Sequence, residues 1–219
     1  VSHSKSFAKG NYPLAYILDT YLFISLLINP ILISSLVKKV IEIEEKNKMW
    51  QLQVSLGEKV NSILINKFKN LSLKLVLLQI VEAIVFLLLA KKSVNFNIDT
   101  DMILRFALVN LSAIIINLFF MALFMIIEMK VKRVYTLSFI GIVGGLTGVI
   151  TMLTSKTLAF VNPFAWMASL LNISYVKEGE KFIQVLNPIN FYTSIIAFIL
   201  LIVCLTYLKA MKTYNLYKD

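Results

Sequence analysis

Very few side chains in this sequence have the chemistry or the spacing of a catalytic or metal-binding site. His3 is the only histidine and Cys204 the only cysteine, so no serine–histidine pair with a positioned partner and no cysteine–histidine metal-ligand set is recognisable. The most unusual group is Glu82, a carboxylate in the middle of an apolar run, with Gln79 one helical turn away. A carboxylate in that setting indicates a hydrogen bond between helices or a polar pathway, and the thin inventory argues against an enzyme.

Five long apolar stretches surround and must position these residues. Each reaches or approaches the ~20 residues that an α-helix needs to cross a ~30 Å hydrocarbon layer. The composition agrees, since 58% of the residues are hydrophobic and only 16% are charged. We therefore predict an all-α, polytopic bundle of transmembrane helices that forms a single domain over residues 1–219. The predicted spans are residues 15–37, 71–90, 102–127, 134–153 and 191–208.

The basic residues between the spans predict the orientation of the chain. The net charge is +10, but the lysines are spread through the loops, so nucleic acid is not predicted as a partner. Most lysine and arginine residues lie in segments 38–70, 128–133 and 209–219, which the positive-inside rule places in the cytoplasm. The N-terminus would then lie outside without a preceding span, so we expect a sixth span before Val1. The C-terminus is predicted to be cytoplasmic.

Polar side chains within the spans form a candidate transport pathway. An intramembrane carboxylate costs at least ~2 to 3 kcal/mol unless it is paired, protonated or hydrated, so Glu82 should face protein or water. Asparagines at similar estimated depth occur in two other spans. The set either contacts a cationic amphipathic peptide or joins helices by hydrogen bonds, and its members are Glu82, Gln79, Asn29, Asn110 and Asn117.

Two spans carry residues that shape helix packing. Pro30 interrupts the first span, where a kink is expected either as a packing feature or as a hinge. The span at 134–153 contains two overlapping GxxxG pairs, which let helix backbones approach closely in lipid. We predict tight packing of this face against a neighbour in the same chain or in a second subunit. The glycines are Gly141, Gly144, Gly145 and Gly148.

An outer segment, residues 154–188, separates the last two spans. Its apolar part, residues 164–171, is too short to cross the membrane. We expect a short helix lying in or dipping into the outer leaflet, followed by a polar turn. Asp19 and Arg105 are placed near the same surface and are given no special role.

The loop at 38–70 is the richest in charge. Residues 38–48 are expected to extend the first span as a charged helix, and a turn is expected at 55–57. Ser55 and Glu58 have the spacing of a capping box, which predicts that a new helix begins there. Apolar residues recur at helical spacing beyond it. Such an amphipathic bend either lies on the inner leaflet or docks into a soluble partner.

The same loop resembles the loop after the second span of ATP-binding cassette type 2 permeases, particularly the lantibiotic-immunity and peptide-export branch. The resemblance covers about 25 residues, Glu45-Lys46-Asn47-Lys48-Met49-Trp50, Ser55-Leu56-Gly57-Glu58-Lys59 and Lys67-Phe68. Gly57 stands where many members have proline, and Glu58 stands near a position that is usually apolar or small.

The resemblance implies six spans, two permease subunits and a coupling helix that sits in a cleft of a separate ATPase. No GxxxxGK[ST] motif occurs, so ATP and magnesium would be used by that partner. The prediction is a permease in the bacterial cell membrane that exports amphipathic peptides, such as lantibiotics or related toxins. The alternatives are a non-transport scaffold or sensor subunit and a permease for a drug or lipid-like substrate. The predicted ATPase-coupling residues are Glu45, Trp50, Ser55, Gly57, Glu58, Lys59 and Lys67.

Overall fold

The computed structural model describes residues 13–93, 100–131, 135–178 and 181–211; His3 and the span expected before Val1 fall outside them. Helices dominate these ranges, and a single two-stranded sheet completes them. In chain order the elements are α1 (Pro13–Lys46), α2 (Met49–Ser55), α3 (Val60–Ser93), α4 (Thr100–Val131), α5 (Thr136–Thr154), α6 (Lys156–Val161), a 3₁₀-helix (Pro163–Leu170), β1 (Ile173–Glu178), β2 (Lys181–Leu186) and α7 (Tyr192–Ala210).

Five of these helices, α1, α3, α4, α5 and α7, are long and apolar enough to cross a membrane. The prediction of an all-α, polytopic bundle is therefore confirmed. Both α1 and α3 contain 34 residues, which corresponds to about 51 Å of helix and exceeds the hydrocarbon thickness. Pro30 lies inside α1 without ending it, because helical structure continues to Lys46. A kink at this proline stays a prediction.

Helix α4 is the centre of the bundle. It packs against α1, α3, α5 and α7. Within the apolar stretch of α4, 56% of the residues are buried, compared with 17% within that of α3. The helices run alternately up and down, so their ends gather at two opposite ends of the bundle. At one end, called the elbow end, α2 joins α1 to α3 and the Lys130 ammonium lies 4.8 Å from the centre of the Tyr207 ring. The other end carries β1 and β2 and is called the hairpin end.

The glycines of α5 make close contacts with two different elements of the same chain. A Cβ atom at Gly141 would lie 2.8 Å from the carbonyl oxygen of Pro30, and one at Gly145 would lie 2.6 Å from that of Leu27. On the adjacent face, Gly144 and Gly148 pack against the 3₁₀-helix. Because no side chain larger than hydrogen fits at these contacts, α5 is held against both α1 and the 3₁₀-helix.

The segment between α5 and α7 differs from the short leaflet helix and polar turn that were expected. Residues 163–170 form a 3₁₀-helix whose Ala165, Trp166 and Met167 side chains are buried in the protein. An antiparallel hairpin follows, with Ile173 opposite Leu186 and Glu178 opposite Lys181. The Trp166 indole donates to the carbonyl oxygen of Phe160 at 2.8 Å, which satisfies its only donor. This segment is consequently a packed cap of the bundle.

Candidate functional site

The elbow, residues 45–67, contains two residues in left-handed conformations, one on each side of α2. Lys48 has φ +52° between α1 and α2, and Gly57 has φ +89° after α2. The charged extension expected for the first span is present, because α1 continues through Lys46. The two left-handed residues let the chain change direction twice within a few residues, so α2 becomes a separate seven-residue helix between α1 and α3.

The second turn corrects the capping-box prediction. Ser55 is the last residue of α2, and its hydroxyl donates to the carbonyl oxygen of Leu52 at 2.7 Å. The Glu58 N–H bonds to Gln53 O at 3.1 Å and the Gly57 N–H bonds to Val54 O at 3.0 Å, the two bonds of a Schellman motif. Ser55 and Glu58 therefore end one helix, and the next begins at Val60.

Trp50 and Lys67 fix α2 to the rest of the molecule. The Trp50 side chain is only 2% exposed, and the Lys67 ammonium lies 5.1 Å from the centre of its ring. Lys67 also forms an ion pair with Glu44, a residue that was not predicted to take part. Both long side chains of this pair are mostly covered, so the predicted coupling residues Trp50 and Lys67 position the elbow from within.

The outward face of α2 carries an apolar stripe that the sequence reasoning missed. Met49, Leu52 and Leu56 are 40%, 54% and 76% exposed. Met49 and Leu52 lie three residues apart in α2, which places them on the same side of the helix, and Leu56 is the C-cap residue that follows α2. We call these three residues the α2 stripe. The remaining predicted coupling residues are also exposed. Ser55 lies between Leu52 and Leu56 in the chain, and the others precede or follow the stripe: Glu45, Gly57, Glu58 and Lys59.

No hydrogen bond among the described residues joins the predicted pathway residues to one another. Among the described residues, Glu82 accepts a hydrogen bond of 3.4 Å from the Tyr21 hydroxyl, which joins α3 to α1. Asn110 donates at 2.8 Å to Phe106 O within its own helix. Asn29 is half-buried in α1. This arrangement favours the helix-joining interpretation of Glu82 over the pathway interpretation.

Two of the five residues are buried without complete hydrogen bonding. Asn117 has no exposed surface, and neither atom of its amide group has a hydrogen-bond partner among the described residues. The Gln79 side-chain oxygen is likewise buried and without a partner in the described part of the chain. An unpaired amide in an apolar interior is unfavourable, so these are the positions in the spans where a polar ligand or water would gain most.

The hairpin end contains a polar cluster that involves both residues to which no role was given. Asp19 accepts hydrogen bonds from Asn172 N at 2.7 Å, Asn172 Nδ2 at 2.8 Å and Ile173 N at 2.8 Å. Arg105 donates to Asn172 Oδ1 at 2.6 Å and to the carbonyl oxygen of Asn187. Asp19 lies on α1 and Arg105 on α4, so this hairpin clasp joins two spans through the base of the sheet.

Comparisons with known proteins do not assign the chain to a family. No family model, no curated protein and no solved structure matches the chain.

Proposed function

We propose that this protein is a permease subunit of a membrane transporter and that its elbow docks on a separate ATPase. The observation that carries the proposal is the α2 stripe, three exposed apolar side chains on a short helix at the end of the bundle. Exposed apolar groups rimmed by charge are typical of surfaces that bind another protein. Their position next to the charged extension of α1 suits a soluble partner.

Rigid anchoring of α2 supports a mechanical role for the elbow. Trp50 is buried between the elements that the Lys67–Glu44 pair also joins, so movement of α2 is passed to α1 and α3. Helix α1 then runs without interruption to the hairpin end. A partner that pulls on the α2 stripe can therefore displace the spans, which is the coupling that an ATP-driven transporter requires.

The energy source and the substrate follow from the sequence resemblance. The chain has no phosphate-binding loop, so the ATPase subunit would bind ATP and magnesium. A second copy or a related permease would complete the transporter. The proposed cargo is an amphipathic peptide, carried out of the bacterial membrane or cell.

A test of docking compares two substitutions that add negative charge to α2. Leu52→Glu places a carboxylate in the α2 stripe, whereas Gln51→Glu places one at an exposed neighbouring position outside it. We expect Leu52→Glu to abolish co-purification with an ATPase encoded near the gene and Gln51→Glu to retain it. Retention of the ATPase by both variants at wild-type yield, in membranes that contain equal amounts of protein, would overturn the proposal.

A non-transport scaffold or sensor is the second candidate, and the Tyr21–Glu82 contact favours it. A carboxylate that joins two helices is a structural element and not part of a passage. The two functions differ in proteoliposomes that contain both subunits, because only a transporter moves fluorescently labelled cationic peptide when ATP is added. ATPase binding without peptide movement would select the scaffold.

A further inference from the structure

A cavity of about 430 Å³ lies at the hairpin end, next to the hairpin clasp. Its walls come from the end of α5, from α6, from the 3₁₀-helix, from the base of the hairpin and from the start of α7. This volume is within the range of about 300–1,000 Å³ that is usual for sites that bind small molecules. The lining residues that matter below are Met152, Lys156, Phe160, Ser169, Leu171 and Thr193.

The lining combines apolar side chains with a single positive charge. Met152, Phe160 and Leu171 provide apolar surface. Lys156 is the one cationic side chain among the described lining residues, which include no carboxylate. It is exposed, and no carboxylate of the described residues lies within 4.0 Å of its ammonium group. A ligand that suits this cavity therefore has an apolar part and an anionic part.

The hydroxyl groups in the lining are already engaged within the protein. Ser169 donates to Trp166 O at 2.7 Å and also contacts the Thr193 hydroxyl. Thr193 is almost completely buried. These groups shape the wall, and Lys156 is left as the main electrostatic determinant of what binds.

The surroundings of the cavity place it at a lipid boundary. Leu153 and Val161, on the helices that form its rim, are 72% and 70% exposed, and Leu158 between them is 49% exposed. Leu153 lies at the end of a candidate span, and Leu158 and Val161 lie on the short helix that follows it; exposed apolar side chains of this kind are stable when lipid covers them. The cavity thus lies where acyl chains and headgroups both reach the protein.

We propose that this cavity binds a phospholipid with an anionic headgroup. Lys156 would pair with the headgroup phosphate, and Met152, Phe160 and Leu171 would contact an acyl chain. The inference does not depend on transport, because it rests on the cavity, its single cation and the exposed apolar rim.

The test uses the purified chain in neutral detergent and counts bound lipid by native mass spectrometry. Phosphatidylglycerol and phosphatidylcholine with identical acyl chains are titrated in parallel. We expect phosphatidylglycerol to bind more tightly, and Lys156→Gln to weaken its binding about fivefold, the loss expected for one basic residue near an anionic headgroup. Binding of phosphatidylcholine should change by less than about twofold, because the choline ammonium of its headgroup offsets the charge of its phosphate and leaves little net attraction to Lys156.

Filling the cavity tests the site itself. Ala159→Trp places a large side chain in the lining, and Ala107→Trp makes the same change at an exposed position of α4 outside the cavity. The first should lower the affinity for both lipids by about tenfold or more, and the second should leave both unchanged. Ala168→Leu is a smaller change in the same lining and controls for misfolding of Ala159→Trp. It should lower the affinity for both lipids by a smaller factor.

Four outcomes would overturn the proposal. Wild-type lipid binding by both Ala159→Trp and Ala168→Leu would show that the cavity is not the site. An unchanged preference for phosphatidylglycerol in Lys156→Gln would remove the headgroup assignment. Complete displacement of the lipid by glycerol 1-phosphate, which has no acyl chain, would indicate a site for free phosphate esters; displacement by a cationic peptide would indicate a peptide site.

Discussion

The two ends of the bundle use polar residues in opposite ways. At the hairpin end, the charges of Asp19 and Arg105 are turned inward, where hydrogen bonds to Asn172 and to backbone groups satisfy them. At the elbow end, the mostly covered Lys67–Glu44 ion pair lies inside the elbow, and the apolar α2 stripe is exposed. The hairpin end is built to hold spans together, whereas the elbow end is built to present a surface. This difference is the basis of the proposal that a protein partner docks at the elbow.

Removing the buried anchor of the elbow should have the largest effect on stability. Trp50→Ala should cost about 3–5 kcal/mol, because it removes a fully buried aromatic side chain together with its contact with Lys67. Leu52→Ala, at an exposed position of the same helix, should cost less than about 0.5 kcal/mol. Thermal unfolding in detergent measures both changes. Equal losses would show that α2 is not anchored through Trp50.

Breaking the hairpin clasp should have the next largest effect. Asp19→Ala removes an acceptor of three hydrogen bonds and leaves Arg105 near unpaired amide groups, so we expect a loss of about 2–3 kcal/mol. Thr20→Ala is the matched control, since within the described ranges its hydroxyl has a single hydrogen bond, to Tyr16 O on the same helix. Hydrogen exchange should increase at residues 172–174 in Asp19→Ala alone. Unchanged exchange there would contradict a clasp.

The left-handed turn after α2 should give a smaller loss that is confined to the elbow. Gly57→Ala should cost about 1 kcal/mol, because φ is +89° and alanine resists this conformation although space for its methyl group is open. Gly57→Asn should cost less, since asparagine tolerates left-handed backbone angles better. The measurement is the unfolding temperature together with proteolysis at 55–59. A stabilised Gly57→Ala variant would contradict the Schellman geometry.

The contact between Tyr21 and Glu82 lies between the two ends and should be the weakest of the four. Tyr21→Phe should cost about 0.5–1 kcal/mol, the usual value for a hydrogen bond between membrane helices. The ring contact with Phe86 should survive, because phenylalanine keeps the aromatic ring. A double-mutant cycle with Glu82→Leu, which removes the acceptor, measures the coupling. A coupling near zero would contradict the helix-joining interpretation of Glu82.

The sequence predicts the five spans because long apolar runs leave few alternatives in a bilayer. It also predicts the charged extension of α1 and the turn near Gly57, since both depend on neighbouring residues. The Ser55–Glu58 spacing was misleading, because the same residues also suit the end of a helix followed by a glycine. A local motif of four residues does not say on which side of it the helix lies.

What the sequence did not predict depends on contacts between distant residues. Asp19 and Asn172 are joined across most of the chain, and no local pattern connects them. The sequence of the apolar segment 163–170 is compatible with a helix that faces lipid and with one that faces protein. Its packing against Gly144 and Gly148 shows that it faces protein. Trp50 and Lys67 were expected to face a partner, yet they face each other. The types of these two residues indicated that they matter to the elbow, but the direction in which their side chains point became known only from the fold.

The contact between Gly141 and Pro30 divides α1 into two parts of nearly equal length. The close approach of Gly141 to Pro30 lies near the middle of this helix, about 24 Å from Lys46 and about 26 Å from Pro13. Because the two parts have almost the same length, a rigid-body tilt of α1 about this contact would move its two ends by nearly equal distances in opposite directions.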